Sequence, residues 1–134
     1  MVKLNAEVKE AFLKSKVIPL ATASKDNVPN VAPMASLYLK DDETIWILNN
    51  YMNKTATNIK ETKKAAVYIY GEGIKGCFQI KGDAELISTG ADYEEAKKMF
   101  LAKKPNFPAK ELLIIKITDV FNCSPGQGAG DKIL

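Results

Sequence analysis

The sequence contains no histidine and no arginine, so all nineteen of its basic residues are lysines. Without histidine the chain can hold neither a Ser-His-Asp triad nor a histidine-ligated zinc ion, and it lacks the usual general base for neutral pH. No pair of carboxylates at a recognisable spacing replaces that base. Any demanding chemistry would therefore fall to an organic cofactor.

Cysteines and long apolar runs are also scarce. Cys77 and Cys123 lie far apart in the sequence and form no metal-binding motif. A reducing cytosol argues against a disulfide, and the strand pattern around Cys77 predicts a buried structural thiol. The longest apolar run, Leu112 to Ile117, contains Lys116 and is too short to span a membrane. The N-terminal segment is amphipathic and mixed in charge, unlike a signal or transit peptide, which predicts a cytoplasmic protein.

Composition indicates one ordinary globular domain covering residues 1–134. Hydrophobic residues make up 46% of the chain, enough for a single core. The net charge of +3 is too small to indicate nucleic-acid binding. The last residues, 123–134, form a glycine-rich tail without periodicity, which predicts that it is mobile or lies against a neighbour.

Hydrophobic periodicity predicts a mainly β protein with short helices. Because most connections are tight turns, neighbouring strands should be antiparallel, and a six-stranded antiparallel barrel is the natural architecture. The predicted helices cover residues 5–16 and 92–104 and a segment that begins after Asn53. The predicted strands cover residues 17–24, 28–40, 44–49, 65–71, 76–88 and 111–122.

Three strands carry additional information. Pro29 and Pro33 should confine the strand 28–40 to edge or bulge positions. The strand 76–88 alternates cleanly between apolar and polar residues, which predicts one buried face. The strand 111–122 is apolar at consecutive positions, so both of its faces should be covered. A closed barrel together with a partner subunit would provide that cover.

The helix that begins at Asn53 breaks the charge rule for helix ends. Helix N-termini favour acidic residues, yet the first turn here contains Lys54 and Thr55, and the first acid is Glu61. The other two predicted helices place acids early and lysines late. A lysine and hydroxyl groups around free backbone N–H groups suit a bound phosphate. Alternatively, Lys54 points into water and Asn53 is only a helix cap.

With its strands placed, the chain resembles the pyridoxamine 5′-phosphate oxidase-like superfamily, the FMN-binding split barrels of Greek-key type. Within that superfamily it is most similar to the small FMN-binding proteins of anaerobic bacteria and archaea. The resemblance extends over nearly the whole chain and rests on four segments in the expected order: IPLATASKDNVPNVAPMAS, TIWILNNYMNKTATNI, GCFQIKGDAEL and LLIIKITDVFNCSPG.

The resemblance implies a homodimer that binds FMN at the subunit interface. Lys54 and Thr55, supported by Asn53, would then hold the FMN phosphate. Three further groups would contact the rest of the cofactor. Along the isoalloxazine ring would lie Pro33, Met34, Ala35 and Ser36, and beside the ribityl chain Leu48, Asn49 and Asn50. The third group, contributed from the second subunit, is Cys77, Phe78 and Gln79.

One departure from the family pattern limits the expected activity. Vitamin B6 phosphate oxidases of this family use arginines and a histidine, and this chain reads Ala32 to Leu37 where they carry Arg-x-Val-Leu-Leu-Lys. The clamp for the substrate phosphate is therefore missing. The resemblance then implies an FMN-dependent oxidoreductase or electron-transfer protein with an unknown redox partner. The alternatives are a non-catalytic flavin carrier or sensor, and a relative that binds the deazaflavin F420.

Overall fold

The computed structural model describes residues 1–134 and contains one seven-stranded antiparallel sheet with three helices. None of the helices has the length and apolarity needed to cross a membrane. The strands lie in the order β2-β1-β5-β6-β7-β4-β3. The elements are α1 (Ala6–Lys14), β1 (Ile18–Ala23), β2 (Pro29–Met34), β3 (Leu37–Asp41), β4 (Thr44–Asn49), α2 (Lys54–Thr62), β5 (Lys64–Ile69), β6 (Phe78–Ile87), α3 (Ala91–Lys103) and β7 (Glu111–Asn122).

The sheet is curled, so its two edges meet. β2 and β3 lie at opposite edges of the sheet, although only Ala35 and Ser36 separate them in the chain. A two-residue link can join opposite edges only if the sheet bends round on itself. Near this junction the Leu48 N–H donates to the Ser36 carbonyl at 3.1 Å. The predicted split barrel is therefore confirmed.

The strand count differs from the prediction of six strands. The segment 28–40 was expected to be one strand, and the structure divides it into β2 and β3 at Ala35 and Ser36. Both β2 and β3 are half-buried strands, so their hydrophobic pattern is similar on the two sides of the break. Periodicity therefore does not reveal where the strand divides. Pro29 and Pro33 lie on the edge strand β2, as expected, where a missing N–H costs little.

The main core fills the inside of the curled sheet. Ile80 on β6 and Ile115 on β7 are buried there, and α1 covers one opening with Val8 and Phe12. β6 shows the predicted alternation, with Phe78, Ile80, Gly82 and Ala84 buried and the residues between them half-buried or exposed. At about 25 cal/mol per Å² of apolar surface, this burial supplies most of the driving force for folding.

A second, smaller core lies on the outer face of β7. Leu112 and Ile114 pack there against Trp46 of β4 and against Tyr93 and Phe100 of α3. The prediction that both faces of this strand are covered is thus confirmed. The cover is α3 of the same chain, so burial of β7 is no argument for a partner subunit.

The glycine-rich tail lies along the end of β7. The Ile133 N–H donates to the Val120 carbonyl at 2.8 Å, and the Asn122 N–H donates to the Asp131 carbonyl at 2.8 Å. Lys132 pairs with Asp119 at 2.9 Å, and its hydrogen bond lowers the pKa of the Asp119 carboxyl. The tail thus lies against its own chain, an arrangement that neither sequence-based alternative included.

Candidate functional site

A cavity of about 460 Å³ opens where the link between β2 and β3 meets the start of α2. This volume is within the usual range of sites for small molecules and cofactors. Its lining comes from the strand β2, the link, the end of β4, the turn before α2, the first turn of α2 and one residue of the loop after α3. These residues are Asn30, Val31, Ala32, Pro33, Met34, Ala35, Ser36, Leu48, Asn50, Tyr51, Met52, Asn53, Lys54, Thr55 and Phe107.

The start of α2 carries free hydrogen-bond donors at this cavity. Asn53 occupies the N-cap position, but its side chain makes no capping hydrogen bond. Its backbone angles, φ −122° and ψ −89°, lie outside the extended region from which a cap side chain reaches the helix N–H groups. The expectation that Asn53 caps the helix is therefore wrong for its side chain. By contrast, Asn5 caps α1 by accepting from the Val8 N–H at 3.0 Å.

The charge at this helix start is uncompensated. The first turn of α2 contains no acidic residue, and the side chain of Lys54 is exposed and makes no ion pair. Lys60, at the other end of the helix, pairs with Glu111 at 3.1 Å. The unpartnered N–H groups of the first turn, the helix dipole and the Lys54 ammonium all favour an anion at the same place.

A buried polar network holds this helix start against the sheet. Thr55, only 3% exposed, accepts a hydrogen bond from Asn30 Nδ2 through Oγ1 at 3.0 Å. Thr22 Oγ1 on β1 accepts from Asn30 at 3.2 Å and from Asn58 of α2 at 3.0 Å. Because the Thr55 hydroxyl accepts from Asn30, its own proton remains available to a ligand. The network thus orients Thr55 and fixes α2 on β1 and β2.

The opposite wall of the cavity is mainly apolar and includes unused backbone groups. Met34, Leu48 and Phe107 supply apolar surface. Ala35 and Ser36 belong to neither β2 nor β3, and only the Ser36 carbonyl has a backbone partner. The N–H groups of both residues are therefore unpaired at the cavity. Such a wall suits a flat aromatic group whose edge carries hydrogen-bond acceptors.

The two asparagines that end β4 have different roles. Asn49, 1% exposed, does not line the cavity. Its Oδ1 accepts from the Met52 N–H at 2.9 Å and its amide nitrogen donates to Glu111 at 2.9 Å, so it shapes the turn. Asn50 lines the cavity, and its Oδ1 accepts from the Ala109 N–H at 3.0 Å. Its amide nitrogen has no partner and is available to a ligand.

The structure brings together nine of the residues predicted to bind the cofactor and leaves four outside the cavity, namely Asn49 and the group of Cys77, Phe78 and Gln79. Pro33, Met34, Ala35, Ser36, Leu48, Asn50, Asn53, Lys54 and Thr55 all line it. Cys77, Phe78 and Gln79 do not. Phe78 is buried in the main core, whereas Cys77 and Gln79 are half-buried. Their contact with a cofactor held by a second subunit stays a prediction.

Sequence reasoning missed several lining residues. Tyr51 and Met52 lie between the predicted Asn50 and Asn53, and that position was a sufficient signal to include them. Asn30, Val31 and Ala32 lie on β2 just before the predicted segment 33–36. Phe107 comes from the loop after α3, and no local pattern connects that loop with the start of α2.

Comparisons with known proteins show the family of the chain. The family model described as pyridoxamine 5′-phosphate oxidase matches residues 4–124. An uncharacterised protein of Methanocaldococcus jannaschii is 37% identical over 99% of this chain and 89% of its own length. The crystal structure of HupZ from group A Streptococcus superposes with a TM-score of 0.80 at 27% identity, covering 95% of this chain and 99% of HupZ.

A fourth comparison concerns the fold alone. An FMN-binding protein from Syntrophomonas wolfei superposes with a TM-score of 0.66 at 24% identity, covering 89% of this chain and 90% of the other. Together with the curled seven-stranded sheet and the match over residues 4–124, these likenesses identify the protein: the chain belongs to the pyridoxamine 5′-phosphate oxidase-like family of split barrels.

Proposed function

We propose that this protein binds FMN in the cavity between the β2–β3 link and α2. The phosphate would lie at the start of α2, held by Lys54, by the Thr55 hydroxyl and by the N–H groups of the first turn. The observation that carries the proposal is the uncapped, acid-free helix start that opens into a cavity of cofactor size. The name of the S. wolfei protein, whose fold is the same, supports FMN as the ligand.

The remaining lining also fits FMN. The isoalloxazine ring would lie along Pro33 and Met34, where apolar side chains can pack against its face. The unpaired N–H groups of Ala35 and Ser36 can donate to the ring's oxygen and nitrogen acceptors. Asn50 can donate to the ribityl hydroxyls through its free amide. When bound, the flavin would supply hydride or electron transfer, and the protein would bind, orient and partly shield it.

The residues that line the cavity favour an electron-transfer flavoprotein or a flavin-dependent oxidoreductase over a vitamin B6 phosphate oxidase. A second phosphate needs its own cationic clamp, and Lys54 is the one cationic side chain that lines the cavity. The chain also has no histidine or arginine to serve a B6 substrate. A cytoplasmic redox protein with a small-molecule or protein partner is consistent with these features.

A homodimer would complete the cavity. Val31, Ala32 and Pro33 line it and also border an exposed apolar depression formed with Val17, Pro19, Tyr68 and Tyr70. Val31 is 67% exposed and Tyr70 is 66% exposed. Contiguous exposed apolar surface of this kind marks interaction sites. A second copy placed on this face would cover both the apolar residues and the open side of the cavity.

The visible spectrum of the purified protein tests the proposal. We expect a yellow protein with flavin absorption and, in the supernatant after denaturation, a ligand with the mass of FMN. A colourless protein that takes up no added FMN would contradict the proposal. A released ligand with the mass of F420 would show that the cofactor is the deazaflavin and not FMN. Reduction by a nicotinamide donor followed by reoxidation by an acceptor supports an oxidoreductase. A bound flavin that neither donor nor acceptor changes supports a carrier or sensor.

A further inference from the structure

The two cysteines of the chain face each other across neighbouring strands, away from the cavity. Register pairs Phe78 of β6 with Asn122 of β7, so Cys77, just before β6, lies opposite Cys123, just after β7. The Cys123 N–H donates to the Cys77 carbonyl at 2.8 Å. The Cys77 N–H donates to Ser124 Oγ at 3.0 Å. These two hydrogen bonds hold the two backbones together at this pair.

Both thiols are reduced and partly accessible. Neither cysteine forms a disulfide, and both are half-buried. Burial, with a smaller contribution from Cys123, raises the pKa of the Cys77 thiol. Because the thiolate is the form that attacks a disulfide, the raised pKa disfavours Cys77 as the attacking thiol. We expect the first attack to come from Cys123.

The backbone geometry allows a disulfide without moving a strand. Directly opposed residues of an antiparallel pair have Cα atoms about 4.5–5.5 Å apart. Disulfides bridge Cα atoms that are about 4.4–6.8 Å apart, so the expected spacing falls inside the permitted range. Neither strand needs to shift its register, since the residues next to the cysteines, Phe78 and Asn122, are already paired.

We propose that Cys77 and Cys123 are a redox-active dithiol that closes to a reversible intramolecular disulfide by exchange with a low-molecular-weight disulfide. The Cys123 sulfur attacks the small disulfide, forming a mixed disulfide and releasing one small thiol. The Cys77 sulfur then attacks the Cys123 sulfur, forming the protein disulfide and releasing the second small thiol. The two thiol protons leave with the released thiols, and the two electrons reduce the small disulfide.

The bond would join the start of β6 to the start of the C-terminal tail. Cys123 begins the tail, and Ser124 already contacts the Cys77 backbone. The disulfide would close a loop containing β6, α3 and β7, which restricts the unfolded chain more than the folded one. Neither cysteine lines the cavity, so closure requires no bound cofactor.

Mass spectrometry of the full native chain after incubation with glutathione disulfide tests this proposal. Acid quenching and alkylation should show wild-type protein that has lost two hydrogens and yields a Cys77–Cys123 linked peptide, and dithiothreitol should restore both thiols. The oxidised wild type should also melt at a higher temperature than the reduced protein. In Cys77→Ser, a glutathione adduct should persist on Cys123, because the resolving thiol is missing.

Three results would overturn the proposal. They are wild-type protein carrying glutathione adducts without an internal bond, a disulfide between two chains, and native protein that stays fully reduced. Cys123→Ser is the matched variant, and we expect it to form far less glutathione adduct than Cys77→Ser. Equal adduct formation in the two variants would contradict the order of attack. None of these measurements uses flavin binding or activity as its readout.

Discussion

Lys54 begins α2 without a carboxylate partner, whereas Lys60 near the end of the same helix pairs with Glu111. The same type of residue thus has two roles at the two ends of one helix. At its C-terminal end a lysine complements the helix dipole, and at its N-terminal end it repels the dipole and needs an anion. The sequence already contained this contrast. The structure adds that the N-terminal lysine lies at a cavity.

Lys54→Ala should weaken FMN binding by about 1.5–3 kcal/mol, which is a tenfold to more than hundredfold rise in the dissociation constant. The reason is loss of the charge-assisted contact with the phosphate. Fluorescence titration of the apoprotein with FMN measures the change. Lys98→Ala is the matched control, because Lys98 is also exposed on a helix and makes no ion pair. Equal affinity of the two variants would show that the phosphate binds elsewhere.

The residue pattern alone could not distinguish the roles of Asn49 and Asn50. Both follow the apolar strand β4, and both were expected at the cofactor. Only Asn50 lines the cavity, because successive residues at a strand end point in opposite directions. Asn49 instead turns inward to Met52 and Glu111. Choosing between the two required the direction of the strand relative to the cavity.

At the scale of the elements, the close contact between β6 and β7 depends on one glycine. Register shifts between Lys81 and Gly82, where the two strands form an irregularity. A Cβ added at Gly82 would collide with the Lys116 carbonyl oxygen and would lie 2.6 Å from the Ile115 side chain. Both contacts are closer than real side chains permit, and one of them is with backbone. Gly82 therefore allows the bulge through lack of a side chain.

Gly82→Ala should lower the free energy of unfolding by about 1–3 kcal/mol, because β7 must shift to accept the methyl group. Urea denaturation followed by circular dichroism measures the effect. Gly73→Asn serves as the control: Gly73 has φ +78° and nothing within 4 Å of its Cβ position. Asparagine tolerates this backbone conformation, so the change should stay within about 0.5 kcal/mol. If both variants were equally stable, the close approach at Gly82 would have no energetic importance.

At the scale of the whole molecule, the exposed apolar face of β2, β1 and β5 shares Val31, Ala32 and Pro33 with the lining of the cavity. The last strand had suggested a partner subunit, but α3 already covers its outer face. The proposed dimer is therefore supported by the exposed apolar face around Val31 and Tyr68, and no longer by the apolar pattern of β7. An interface there would combine assembly and cofactor binding in one surface.

Val31→Lys should weaken the proposed dimer by on the order of 3 kcal/mol, because it buries an unpaired charge in an apolar contact. Sedimentation equilibrium measures the dissociation constant of the dimer, and FMN affinity should fall with it. Leu13→Lys is the matched control, since Leu13 is 68% exposed on α1 and Val31 is 67% exposed. A Val31→Lys protein that associates as tightly as Leu13→Lys would place the interface on another face.

The sequence by itself determined the properties that depend on local pattern. These are the mainly β composition, the alternation along β6, the unusual charge at the start of α2, and the absence of histidine and arginine that excludes several chemistries. Each follows from residue types at short spacing, where backbone geometry fixes which side chains are neighbours.

Only the tertiary structure decided which distant segments meet. The Asn30–Thr55 contact and the facing pair Cys77 and Cys123 join segments far apart in the chain. The break at Ala35 and Ser36 and the cover of β7 by α3 depend on how consecutive elements are placed in the fold. These contacts depend on how the sheet curls and on which strands become neighbours. The curl of the sheet and the order of its strands are set by packing of the whole core, so they cannot be predicted from a single segment.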